Sequence, residues 1–546
     1  MTPTSSEPRR WWQTRWFVLA AALVATVPLL WPTIPPLVDL PGHMGRYRVQ
    51  LAIATYPELA GWYDFHWQLI GNLGIDLLVI PLAKLVGLEL AVKLIVLCIP
   101  ALTVAGLLGI AREVHGRIPA TALFALPLAY SYPFQFGFVN FALSMGIALN
   151  LFALWLRLAR TGHLRLRAAL FVPLSCLLWV CHTFGWGVLG VLGFSAEMFR
   201  QHDLRKDGRS GHWLESWLRA GLNCLPLAPP LVLMALWRSG EHVTGQTLDW
   251  FDWNKKYWWV SMILRDRWRV FDVVSAGLLF LILFMGWRDK RLEYSRSLGL
   301  SALFLLAVFI LLPRVVFGSA YADMRLAPFM VAVAVIAVRP RPWLPARSIA
   351  RFAALGLAFY GVRLAATTWS YALYAASYDR VLTALDHLPV HARVVSFVGR
   401  HCYDDWAYTR LEHIPALLLE RKLAYTNDQW SMAGAQLLTT RYTAADGYAH
   451  DPSQIVTDLY CRGEWWRPVR MALADFPRDA FDYVWMLNPP PYEPGMVSGL
   501  TPVWRSGRDV LFRVDDRTQP KRITSADYGV FPRGLYPRRK GVSSAR

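Results

Sequence analysis

The chain has 546 residues, 55% of them hydrophobic and only 17% charged, against about 25% charged in soluble domains, which excludes an ordinary soluble enzyme. A net charge of +19 would suit nucleic acid, but the Lys and Arg residues fall in short segments between apolar runs rather than on one soluble face. They read as orientation signals, with no nucleic acid as partner. Apolar runs such as 16–31, 298–312 and 349–366 have the length that crosses a hydrocarbon core of about 30 Å, so the lipid bilayer is the expected surrounding.

In chain order, Arg9, Arg10 and Arg15 precede the run Trp16 to Trp31, which ends in Pro32, Pro35 and Pro36. That run is long for a signal peptide and is expected to stay as the first span. Basic clusters at 112–117, 157–167, 200–219, 288–296 and 339–351 are placed in the cytoplasm with the N-terminus. Spans are then expected at about 15–33, 90–111, 118–131, 139–157, 168–182, 185–199, 220–237, 271–287, 298–313, 326–338 and 349–369, eleven crossings in all. A twelve-crossing count makes Leu73 to Gly87 a span and puts the basic 157–167 segment outside, against the charge pattern. With eleven, that stretch is a re-entrant or interfacial helix in a long first outer loop, 34–89, and everything after 370 is also outside.

The segment Trp250 to Phe271 interleaves Trp and Tyr with Lys and Arg and reads as an amphipathic helix at the interface. After 370 the composition becomes that of a soluble domain. Ala392 to Val398 alternates like a strand, Leu411 to Lys422 has helical spacing, Phe481 to Leu487 is an aromatic strand, and Val503–Trp504 with Val510–Val514 forms a hairpin. The expected domains are 1–369 (membrane, carrying the loop 34–89), 370–515 (α/β) and a loose basic tail, 516–546. Cys98, Cys176, Cys181 and Cys224 lie in apolar runs and read as packing residues, whereas Cys402 and Cys461 can bridge if the C-terminal third faces an oxidising compartment.

Chemistry-bearing residues concentrate in the outer segments. In Val38-Asp39-Leu40-Pro41-Gly42-His43-Met44-Gly45-Arg46 the chain breaks just after the first span and a helix can start near His43. The Asp39 carboxylate is held near the membrane surface, where it can bind a divalent cation or take the proton of an acceptor hydroxyl, while His43 and Arg46 can meet phosphate. The bland alternative is an acidic helix N-terminus with a snorkelling Arg. Asn72 and Asp76 open the 73–87 run, where an acid is costly unless paired or facing a polar cavity. The last outer loop carries Tyr321, Asp323 and Arg325, and Arg325 can grip a lipid-linked phosphate, unless it and Asp323 simply neutralise each other. His182 is a lone ionisable residue between two apolar halves, and the turn Tyr130 to Asn140 is aromatic and uncharged, suited to a sugar, an isoprenoid or an interfacial belt. There is no Walker loop, no GxGxxG, no HExxH and no paired CxxC.

The first span followed by Asp39-Leu40-Pro41-Gly42-His43, the many-span core, the loop Tyr321-Ala322-Asp323-Met324-Arg325 and the outer C-terminal domain together resemble the GT-C superfamily of integral-membrane glycosyltransferases, including protein mannosyltransferase and aminoarabinose transferase relatives. The resemblance implies a GT-C-like fold in a bacterial inner membrane. It implies a polyprenyl-phosphate-linked sugar donor, an acceptor glycan, lipid or protein, and inversion at the anomeric carbon. Asp39 would match the first-loop acid that serves as base or metal ligand, and Arg325 would meet the donor phosphate. The chain departs from the pattern in having no acid adjacent to Asp39 and none in the 132–138 turn. Two readings from other classes stand beside it: a transporter or flippase for lipid-linked saccharides, which predicts charges deep within spans, and a non-catalytic assembly scaffold, which predicts that Asp39 is dispensable.

Overall fold

The computed structural model describes residues 10–206, 213–238, 247–316, 319–402, 405–432, 436–461 and 466–519. Most of the expected basic tail lies outside the described residues. The chain divides into two compact units, one formed by Met1–Leu37 with Gln68–Leu373 and one by Val38–Trp67 with Tyr374–Arg546.

The first unit is helical and apolar. Among the described residues five helices are long and apolar enough to cross a membrane, namely Leu88–His115, Val139–Arg160, Leu164–Cys181, Arg269–Arg288 and Ala346–His387. A pair bent by 66°, Trp213–Leu227 with Pro230–Trp237, raises the number to six, and Arg15–Leu29 and Arg296–Leu311 are shorter apolar helices. Each expected span coincides with a helical element, but two of them differ from a lipid-facing helix. Ala120–Tyr130 is a 3₁₀ helix with every residue buried, Pro119 preceding it and Pro127 inside it; Pro removes the donor that an α-helical ladder needs. Ala322–Ala337 is buried along nearly its whole length. The stretch expected as re-entrant is the helix Gly74–Val86, whose 13 residues rise only about 20 Å. The aromatic segment 250–271 is helical over Trp253–Ser261 and again from Arg269, where the helix Arg269–Arg288 begins. Its Trp250, Trp253 and Tyr257 are exposed, while Lys256 and Trp259 face inward.

The second unit is built on a seven-stranded mixed sheet. We number its strands β1 (Arg393–Gly399), β2 (Tyr425–Thr426), β3 (Ile455–Thr457), β4 (Arg467–Pro468), β5 (Tyr483–Leu487), β6 (Leu500–Ser506) and β7 (Asp509–Val514). The order is β6-β7-β5-β1-β3-β4, with β2 also paired to β1. β1 runs parallel to β5 on one side, and on the other to β2 at its start and β3 at its end. The predicted hairpin is β6–β7, and the predicted helix is present as the 3₁₀ turn Ile414–Ala416 and the helix Leu417–Lys422. Cys402 and Cys461 are disulfide-bonded, with Cα atoms 5.0 Å apart.

Residues 38–67 were expected as part of a loop of the membrane domain; they pack in the second unit instead. The physical reason is the helix Leu40–Ala52, which buries Leu40, Met44, Tyr47, Val49 and Ala52. Such an apolar stripe requires a core, and through Val49 and Ala52 it joins one that includes Tyr63, Val395, Phe397, Tyr425, Phe476 and Phe481. Tyr63–Phe65 adds a short antiparallel pairing with Leu438–Thr440.

Candidate functional site

In the second unit, Asp39 caps the helix Leu40–Ala52 without a side-chain capping bond. Its carboxylate faces the His413 ring. Where β2 ends, the Asn427 side chain continues the pairing, accepting from the Ser396 N–H at 2.8 Å and donating to the Ser396 carbonyl at 3.3 Å. The chain is thereby released beyond the carboxyl end of a parallel strand, which in open α/β sheets is where ligands bind. There His413 lies with Nε2 3.9 Å from Asp39 Oδ1 and Nδ1 3.9 Å from Asp428 Oδ2. The Trp430 ring covers both His413, at 4.4 Å, and His43, at 5.0 Å.

Two glycines permit this approach. A Cβ on Gly42 would lie 2.7 Å from the Trp430 ring, and one on Gly45 would lie 2.9 Å from the Ala416 carbonyl oxygen. Arg46, expected at the phosphate-facing surface, is 2% exposed and donates to Gln436 Oε1 at 2.7 Å. It does not snorkel. His413, Asp428 and Trp430 were not identified from the sequence. The available signal was the polar run Asn427-Asp428-Gln429-Trp430 directly after an apolar strand.

Burial lowers the His413 imidazole from 6.5 to about 4, and the Arg400 charge adds to this. Burial raises Asp428 well above the usual carboxylate range, with the neighbouring Asp451 contributing, and raises Asp451 to about 6. At neutral pH the His413 imidazole is uncharged, and burial shifts Asp428 towards its protonated form. The linkage has opposite signs for the two residue types. For His413 the unfolded chain binds the proton first as pH falls, so stability present above pH 6.5 is lost towards pH 4, by about 3 kcal/mol. For Asp451 the folded chain holds the proton longer, so stability is lost as pH rises from 3.8 to about 6. The two offset each other in the native chain. His413→Gln is expected to remove the first contribution, and unfolding of the two proteins in detergent at pH 7 and pH 4.5 would show it. A wild-type-minus-variant stability difference that stays the same at both pH values contradicts the burial argument.

The first unit gathers the other expected residues into two clusters. Asn140 donates to Asp76 Oδ2 at 3.0 Å and to the Asn72 carbonyl at 2.9 Å, and accepts from the Ile75 N–H at 2.7 Å. Asp76 is fully buried, so this carboxylate and the Asn72 backbone fix the start of the helix Gly74–Val86. In the second cluster the loop before Ala322–Ala337 meets the aromatic turn. The Tyr321 ring lies 5.5 Å from Phe136 and 5.8 Å from Trp259. The Arg325 guanidinium sits over Phe138 at 4.2 Å and donates to Ser319 Oγ at 3.1 Å. Asp323 and Arg325 do not neutralise each other: Asp323 pairs with Lys256 at 3.3 Å, and Lys256 also donates to the carbonyls of Phe309 and Leu312. His182 accepts from the Phe184 N–H on Nδ1 at 3.1 Å, which leaves Nε2 to carry the ring proton when the imidazole is neutral. His182 and Arg325 both contact Phe184, at 5.8 and 5.9 Å.

A divalent cation at Asp39 would need further ligands. Among the described residues no group of three or more His, Cys, Asp or Glu side chains is placed to hold one.

No family model matches the sequence, and no curated protein matches it. Among solved structures, the chain is similar to ArnT from Cupriavidus metallidurans bound to undecaprenyl phosphate, with 13% identity over 93% of this chain and 98% of that chain and a TM-score of 0.48.

Proposed function

We propose that this membrane protein is a glycosyltransferase that moves a sugar from a polyprenyl-phosphate donor to an acceptor hydroxyl on the periplasmic side, in envelope glycan or glycoconjugate assembly. The observation that carries the reading is the Asp39 carboxylate, set at the start of a buried helix and facing the His413 imidazole, whose ring shares the Trp430 indole with His43. The GT-C-like sequence pattern supports it. In the proposed step the acceptor oxygen attacks the anomeric carbon with inversion, the carbon–oxygen bond to phosphate breaks, polyprenyl phosphate leaves, and Asp39 takes the hydroxyl proton. A lipid-borne donor accounts for apolar spans in an enzyme of this kind, since the reacting phosphate sits at headgroup depth while its tail stays in hydrocarbon. The Cys402–Cys461 bridge supports an oxidising surrounding for the second unit.

Arg325 is proposed to bind the donor phosphate. Its guanidinium is oriented by Phe138, and a planar fork matches phosphate geometry where an ammonium does not. Arg325→Lys is expected to lower kcat/KM for the donor by about 10²-fold, of the order of the 1.5–3 kcal/mol of a charged hydrogen bond. Initial rates against donor concentration would check this, and an unchanged kcat/KM would remove Arg325 from donor binding.

A second reading, translocation of a lipid-linked saccharide, is favoured by the buried pairs Arg167–Glu197 and Arg363–Asp272. Both are direct ion pairs at 3.1 and 2.7 Å, an arrangement that also serves simple helix packing. The test is incubation of the purified full chain in detergent micelles, where there are no compartments, with a panel of polyprenyl-phosphate sugars and hydroxyl acceptors. Release of free polyprenyl phosphate with equimolar glycosylated acceptor is expected. Absence of release with every donor would favour the transport or scaffold readings.

A further inference from the structure

We infer that His413, backed by Asp428, is the positioning residue that orients the Asp39 carboxylate. The inference deepens the transferase reading and rests on Asp39 being its proton acceptor.

The geometry is an acid–imidazole–acid series drawn from three separate segments of the second unit, with equal separations of 3.9 Å on the two sides of the ring. His413 is 4% exposed and Asp428 is fully buried. Asp428 Oδ1 accepts from Thr426 Oγ1 at 3.3 Å and Gln429 Nε2 at 3.5 Å. Its Oδ2 and the Nδ1 of His413 face each other, and neither has a geometric hydrogen bond among the described residues. Two buried polar atoms facing each other in this way cost stability unless a further group completes them. Separations somewhat longer than a hydrogen bond are common in ligand-free sites and shorten when substrate is bound.

The surroundings restrict the ring to one job. Trp430 covers it at 4.4 Å, and the Gly42 backbone closes in so far that a Cβ there would stand 3.2 Å from Nδ1. The ring therefore has little room to rotate, and Nε2 stays directed at Asp39. His43 approaches the same indole from the helix that Asp39 caps. Burial keeps the His413 imidazole uncharged at neutral pH and shifts Asp428 behind it towards its protonated form. His413 accordingly offers Asp39 a hydrogen bond without an opposing charge, and the carboxylate keeps its ability to accept a proton.

The test uses the full chain in detergent micelles and does not read turnover. Asp39 is labelled with a water-soluble carbodiimide and an amine, and the labelled peptide is quantified by mass spectrometry. Asp64, in the same unit and paired with Arg441, serves as the reference for an intact fold. In His413→Leu the donor is lost at similar volume, and Asp39 labelling is expected to rise roughly tenfold, the effect of about one pKa unit. In His413→Gln an amide N–H replaces the imidazole donor, and labelling is expected to return to within about twofold of wild type, with Asp64 steady in both. Equal labelling of Asp39 in the Leu and Gln variants would overturn the inference. Should the Leu variant loosen the fold, seen as a rise at Asp64, His413→Asn replaces it: its amide is too short to reach, so Asp39 labelling must rise while Asp64 does not, and a wild-type rate would again overturn the inference. A chain that shows the expected pattern but transfers no sugar keeps the His413–Asp39 link and loses the transferase reading. One that transfers sugar without the pattern does the reverse.

Discussion

Replacing Cys402 and Cys461 together by Ser is expected to make the amides of the central strand β1 exchange with solvent roughly a thousandfold faster. The bridge closes a loop of 59 residues. In the chain-entropy account, cross-linking a loop of that length destabilises the unfolded state by about 4 kcal/mol, and each 1.4 kcal/mol corresponds to about a tenfold change in an equilibrium. The bridge ties the segment after β1 to the segment after β3, and both strands belong to the core of the second unit. Next to it Arg400 pairs with Glu412 at 2.9 Å and lies over the Tyr408 and Trp466 rings at 4.9 and 4.5 Å. These contacts remain in the variant and are the reason the unit is still expected to fold. Hydrogen exchange of Val394–Val398 in the full chain measures the effect directly, and a change below about tenfold would show that the bridge does not constrain this unit.

The elements legible in the sequence are those set by local periodicity. The alternation at 392–398 produced β1, and Ser506-Gly507 produced the turn of β6–β7. The long apolar runs each produced a helical element. What was not legible depends on partners far away in the chain. Ala120–Tyr130 has the composition of a membrane helix, but proline chemistry and burial on every side make it a 3₁₀ segment. Leu40–Ala52 looked like part of a loop because most of the core it joins, from Val395 onward, lies more than 340 residues later. The same distance hid half of the candidate site. Asp39, His43 and Arg46 could be selected because turn and charge chemistry coincide within eight residues, whereas His413 meets Asp39 and Trp430 meets His43 only through the packing of that helix. Asp323 illustrates the converse. Its nearest sequence partner, Arg325, is not its ion-pair partner, because Lys256 from the aromatic segment reaches it first.

The chemical account depends on Asp39 acting as a base rather than as a helix cap. Asn has the same shape and cannot accept the acceptor's proton. The helix should tolerate the change, since Asp39 makes no side-chain capping bond and the apolar stripe from Leu40 to Ala52 fixes the helix independently. A correctly placed general base contributes about 10²–10⁴-fold to rate, equivalent to about 3–5 kcal/mol of barrier. The loss should fall on kcat, because the proton is transferred in the transition state, and should leave the donor KM nearly unchanged. The most direct measurement is single-turnover transfer by the wild-type chain and by Asp39→Asn in the same micelles with saturating polyprenyl-phosphate sugar. The account predicts a rate at least about 10²-fold lower in the variant, with intact protection of the β1 amides in both. Equal rates in the two proteins would contradict it.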